Sequence, residues 1–154
     1  MIVRAIHFAS TATVLGALIF RTAVVEPISN SAEGLAVRGQ ARRIAMISLA
    51  ITVASAVVFL PLQAANMSGQ SLSAAMTTEV LSTVMAETQF GMILTIRLLL
   101  AIILFGCLAY DHIAMSRWLG LMSALGLVAA IAWTGHAGAG IGAWGKLHVA
   151  ADVF

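Results

Sequence analysis

Apolar residues run along this chain in blocks of about twenty, separated by short polar gaps. A block of that length is what a helix needs to cross a hydrocarbon core of about 30 Å, so helices are expected and strands are not. Four complete spans are read, from Val3 to Val25, Arg43 to Ala65, Gly91 to Tyr110 and Arg117 to Ala137. A fifth begins near Leu147 and is cut off at Phe154, which predicts that the sequence is the front part of a longer membrane protein. The predicted fold is all-α, a polytopic transmembrane helix bundle forming a single domain over residues 1–154. The gap from Asn66 to Phe90 is not plain loop. Leu72, Met76, Val80 and Val84 recur every four residues there, which predicts an amphipathic helix lying against the outer surface.

Composition supports the membrane reading. The 154 residues are 61% hydrophobic and 9% charged, against about a quarter charged in soluble domains. The formal charge of +2 and a pI near 9.3 invite nucleic acid as a partner. The basic residues, however, sit at block ends, where they set orientation in a bilayer; lipid is the expected partner and nucleic acid is excluded. The first connection carries Arg38, Arg42 and Arg43 and the third ends at Arg117, whereas the second holds Glu79 and Glu87 and no basic residue. The positive-inside rule then makes the first and third connections cytoplasmic and puts the N-terminus outside, with Arg4 and Lys146 counting against. The first block is read as a retained helix, since its apolar run reaches Val25 without a small-x-small cleavage pattern.

Some polar and small residues read as helix packing. Ser48, Thr52 and Ser55 recur at helical spacing on the second span, and Ser116, Gly120 and Ala124 form a small-xxx-small row on the fourth. The lone Cys107 has no disulfide partner in the chain and falls toward the inner face.

The histidines sort by this topology. His7 lies about one turn into the first span, His136 closes the fourth, and His148 opens the fifth, all toward one membrane face. Three helices thus each bring one imidazole to one end of a bundle, the arrangement used by metal sites in helical bundles. Ser10 and Thr11 share the face of His7, and Asp152, four residues after His148, is placed to ligate a metal or to orient the imidazole. Imidazole suits copper, zinc, nickel and iron, and a methionine sulfur shifts the preference toward Cu(I); Met67, just past the second span, is the best-placed sulfur. His112, beside Asp111 in the cytoplasmic turn, reads as a solvated loop residue. Arg97 lies within snorkelling reach of the outer surface, with lining of the outer cavity as the second reading. Gly140, Gly142 and Gly145 match the spacing of a dinucleotide-binding loop, but a transmembrane segment precedes them where a strand is required, so they are read as a compact turn joining His136 to His148.

The order of these features resembles the copper resistance D (CopD) family of inner-membrane proteins. The residues that carry the resemblance are RAIHFAS around His7, WTGHA around His136, and LHVAAD with His148 and Asp152. The resemblance implies copper, as Cu(I) or Cu(II), moved across or delivered into the bacterial cytoplasmic membrane alongside a periplasmic copper-binding protein. It suggests no catalytic nucleophile, so no enzyme activity is expected, and it leaves oligomer formation open. The competing reading is a b-type haem electron-transfer subunit with axial histidines inside the bundle.

Overall fold

The architecture is that of a computed structural model, which describes residues 2–28 and 31–133. Among these residues all regular structure is helical, and four helices are long and apolar enough to cross a membrane. They are α1 (Ile2–Phe20), α2 (Ala32–Ser68), α5 (Gln89–Ala109) and α6 (Ala114–Trp133), with two short helices, α3 (Leu72–Ala75) and α4 (Thr78–Glu87), between the second and third. Each long helix packs on two others, in the cyclic order α1, α2, α5, α6. The result is an up-down-up-down four-helix bundle.

The interior is built from apolar residues one or two turns apart on each helix. Val14 and Leu18 of α1, Ala45 and Leu49 of α2, Ala101, Leu104 and Leu108 of α5, and Ala124 and Leu127 of α6 form one buried cluster. Large apolar side chains also cover the outside, among them Val57, Leu99, Ile102 and Phe105. Lipid, not water, is the solvent such a surface fits. The small row on α6 packs as expected: a Cβ at Gly120 would lie 3.2 Å from the Cβ of buried Cys107.

Two elements differ from the sequence expectation. The second span begins eleven residues earlier than the apolar block, at Ala32. Ser31 caps it, its side chain accepting from Gly34 N–H at 3.0 Å, and Glu33 in the first turn complements the helix dipole. The arginines that looked like loop residues therefore stand on helix. With 37 residues, α2 is roughly 55 Å long at 1.5 Å per residue, well beyond the hydrocarbon thickness of about 30 Å. It runs through Pro61 and stops at Gly69, whose φ of +67° supplies the left-handed cap.

The segment between α2 and α5 is two helices instead of one. Ser71 opens α3, and extended backbone at Thr77 restarts the chain as α4. Of the four residues repeating every fourth position, Val84 is buried and Val80 packs beside it, while Leu72 and Met76 are exposed. The break at Thr77 turns the first half of the apolar stripe away from the bundle. Ala75 and Val84 close over Ala64 of α2. The join from α4 to α5 is tight: a Cβ on Gly91 would run into the carbonyl oxygens of Val84 and Met85.

The chain after α1 is also unusual. Residues Arg21–Val25 form a π-helical turn, in which Glu26 N–H donates to Arg21 O, followed by a 3-10 turn over Glu26–Ile28. A π turn brings residues five apart onto one face, where an α-helix would separate them.

Candidate functional site

His7 is the predicted ligand that falls among the described residues inside the bundle, and the surrounding helices hold it closely. It is buried on α1 and faces α2, where Nδ1 lies 2.8 Å from Ser55 Oγ and 3.1 Å from Thr52 O. A carbonyl only accepts, so Nδ1 carries the ring proton and donates. On the opposite edge Nε2 meets Nη2 of Arg97 from α5. A guanidinium only donates, so Nε2 presents its lone pair there. The imidazole is thereby fixed in orientation and tautomer by three helices, as is usual for a histidine placed to use one ring nitrogen.

The polar stripes predicted on α1 and α2 are two halves of one network. Ser10 Oγ and Thr11 Oγ1 donate to His7 O at 3.0 and 2.7 Å. Thr52 Oγ1 lies 2.9 Å from both Ser10 Oγ and Ser48 O, and Ser55 Oγ donates to Thr52 O at 2.9 Å. Ser48, Thr52 and Ser55 do pack helices together, as their spacing predicts. Thr52 and Ser55 also set the proton on His7, which spacing within one helix could not reveal.

Arg97 corrects its first sequence reading. It does not snorkel: it is 8% exposed, with its side chain turned onto His7. Its Nε has no hydrogen-bond partner among the described residues. A charged residue within a span costs on the order of 3 kcal/mol on insertion scales, so the interior position calls for compensating groups. Arg97 borders a cavity of about 90 Å³ lined by Arg4, His7, Phe8, Phe59, Gln63, Phe90 and Arg97. The Arg4 guanidinium lies 5.1 Å from the centre of the Phe8 ring, within cation–π range. Phe59 and Phe90 meet edge to face at 5.7 Å.

The remaining predicted ligands are placed as follows. Met67 stands half exposed near the end of α2, four residues and so about one turn beyond Gln63. His136, His148 and Asp152 lie outside the described residues, as do Gly140, Gly142 and Gly145, for which a compact turn is expected. Among the described residues no group of three His, Cys, Asp or Glu side chains converges. His112 is exposed in the α5–α6 turn, at the opposite end of the bundle from His7.

That opposite end carries a feature that reading charge for orientation missed. Arg21, 4% exposed in its side chain, lies 3.0 Å from Asp111 Oδ2 and 3.5 Å from Glu26 Oε1. Arg38 reaches both carboxylates at 3.8 Å, Arg42 reaches Asp111 at 4.0 Å, and Arg117 donates to Glu26. Arg21 and Arg38 also donate to the carbonyl of Asp111, at 3.3 and 3.1 Å. The π turn puts Glu26 beside Arg21 and within reach of both α2 and α6. The missed signal was the pairing of isolated acids with arginines at the block ends.

Compared with known families, residues 1–146 match the N-terminal domain described as copper resistance protein D-like. No curated protein and no solved structure matches the chain.

Proposed function

Because the chain belongs to the copper resistance protein D-like family through its N-terminal domain, and so to multi-pass membrane proteins of copper resistance, we propose that it binds copper at the His7 end of the bundle and takes part in moving it across the bacterial inner membrane. The end bearing His7 faces outward in this reading. His7 supplies one nitrogen, His136 and His148 two more, Asp152 a carboxylate, and Met67 a sulfur at the rim. Copper is cargo, and no bond of a substrate is made or broken.

The observation that supports this most is the fixed tautomer of His7. Nδ1–H is committed to Thr52 O and Ser55 Oγ, which leaves Nε2 as the free-lone-pair nitrogen. Metal-ligating histidines are oriented in this way, by a hydrogen bond from the ring nitrogen that does not ligate. Arg97 Nη2 meets that lone pair, so copper uptake at Nε2 requires the guanidinium to swing aside. A periplasmic copper-binding protein is the donor that the outward orientation favours.

The test is metal content of detergent-purified protein by mass spectrometry after equilibration with Cu(I) or Cu(II), comparing wild type with His7→Ala/His136→Ala. Copper held by wild type and lost by the double variant is the expected result. Equal retention in both removes these ligands from the proposal. An absorption spectrum of the untreated protein tests the haem alternative, for which a Soret band is required.

A further inference from the structure

We propose that the cavity beside His7 is a binding site for a phosphate group, gripped by Arg97 and Arg4 with Gln63 as a neutral hydrogen-bonding neighbour. Five features of the site carry the inference, and none of them depends on copper binding.

The first is charge. Two guanidinium groups line the cavity, and among the described residues no carboxylate does. Arg4 and Arg97 form no ion pair among the described residues, whereas Arg21, Arg38, Arg42 and Arg117 each have a carboxylate oxygen within 4.0 Å. Arginine stays protonated in proteins, so burial cannot discharge Arg97. The second is the buried donor. Arg97 is more than nine-tenths buried, and among the described residues its Nε–H lacks a partner while its Nη2 is on His7. A planar fork with a spare N–H matches an oxyanion that can accept two parallel bonds.

Size is the third feature. A volume of about 90 Å³ is well above what one ordered water needs and has room for a tetrahedral oxyanion. Depth is the fourth: Arg4 is two residues and Arg97 eight residues from the start of its helix, so the pair spans roughly 3–12 Å from the helix ends at 1.5 Å per residue. Arg4 thus stands at the end of its span, where lipid phosphates meet the hydrocarbon, and Arg97 lies deeper. The fifth is the wall. Phe8, Phe59 and Phe90 complete the lining, lowering the local dielectric and strengthening each charge-assisted bond. A phosphate from an anionic lipid headgroup and free inorganic phosphate share this chemistry.

The test measures binding in detergent without added copper, so its outcome is independent of the copper proposal. Inorganic phosphate is titrated by calorimetry, and in a separate arm phosphatidylglycerol or diacylglycerol is offered and retention read by native mass spectrometry. Saturable phosphate binding identifies the free ion as a ligand; retention of phosphatidylglycerol over diacylglycerol identifies the headgroup. Either supports the site, provided Arg97→Gln and Arg4→Gln each weaken binding at least tenfold while Arg43→Gln, exposed on α2 away from the cavity, leaves it unchanged. Arg97→Lys, which keeps the charge and loses the fork, is expected between wild type and Arg97→Gln. Arg4 is exposed, so Arg4→Gln decides the matter if Arg97→Gln fails to fold. Absence of binding in both arms, or variants that bind like wild type, overturns the proposal.

Discussion

The two ends of the bundle treat buried positive charge in opposite ways. At the Asp111 end, Arg21 is sealed between Asp111 and Glu26, and three more arginines share the same two carboxylates. At the His7 end, Arg97 is equally interior but meets a neutral imidazole. Ion-pair networks fix helices relative to one another, whereas a buried cation with no carboxylate beside it among the described residues is held by geometry and can meet an anionic ligand. The difference marks the Asp111 end as the clamp of the bundle and the His7 end as the face on which the proposed sites lie, called here the working face. The π turn belongs to the clamp, since it brings Glu26 round to Arg21, and the restart of the chain at Thr77 belongs to the working face, which α3 and α4 partly cover.

The comparison can be broken most severely by making the first end resemble the second. Asp111→Asn leaves Arg21 buried without its nearest carboxylate and is expected to lower stability by about 3 kcal/mol, read as denaturant or thermal unfolding in detergent. A change below about 0.5 kcal/mol would mean that the network does not clamp the helices. Next in size is Gly91→Ala at the working face. Its Cβ meets the backbone carbonyls of Val84 and Met85, neither of which can yield as a side chain could. A loss of about 1–3 kcal/mol is expected, together with a displaced Phe90 and weaker phosphate binding at the neighbouring cavity. The smallest effect on folding is expected from Met67→Ala. The side chain is half exposed, so stability should stay within about 0.5 kcal/mol, while Cu(I) retention falls if its sulfur takes part; unchanged Cu(I) retention would remove Met67 from the ligand set.

Much of the bundle was legible in the sequence because the bilayer imposes one dominant pattern, and runs such as Met92 to Ala109 can hardly be anything but a span. The extent of α2 was not legible. Arg38, Arg42 and Arg43 interrupt the apolar run, and hydropathy cannot tell a charged loop from a helix that continues into the headgroup region. The stripe from Leu72 to Val84 had the right period, yet the reset at Thr77 depends on an extended backbone that periodicity does not encode. For the candidate site, the position of His7 and its Ser10 and Thr11 neighbours pointed to the buried face it occupies. Its three contacts were not, since they lie 45, 48 and 90 residues away. One rule would have found two of them: polar stripes on adjacent spans cannot face lipid, so the Ser48, Thr52 and Ser55 row had to face the His7 row. Nothing comparable would have matched Arg97 to His7, because a single arginine carries no period.

The contact between Arg97 and His7 has a thermodynamic consequence. A copper ion at Nε2 and the Arg97 guanidinium are like charges competing for one lone pair, and a phosphate in the adjoining cavity would attract both. Occupancy by the anion must then tighten the metal, and linkage requires the metal to tighten the anion by the same factor. Copper affinity measured with and without phosphate would therefore report on both sites at once. On the two proposals together, a leaflet that offers phosphate there would act as an effector of copper binding, with Arg97 as the shared element through which the two affinities are coupled.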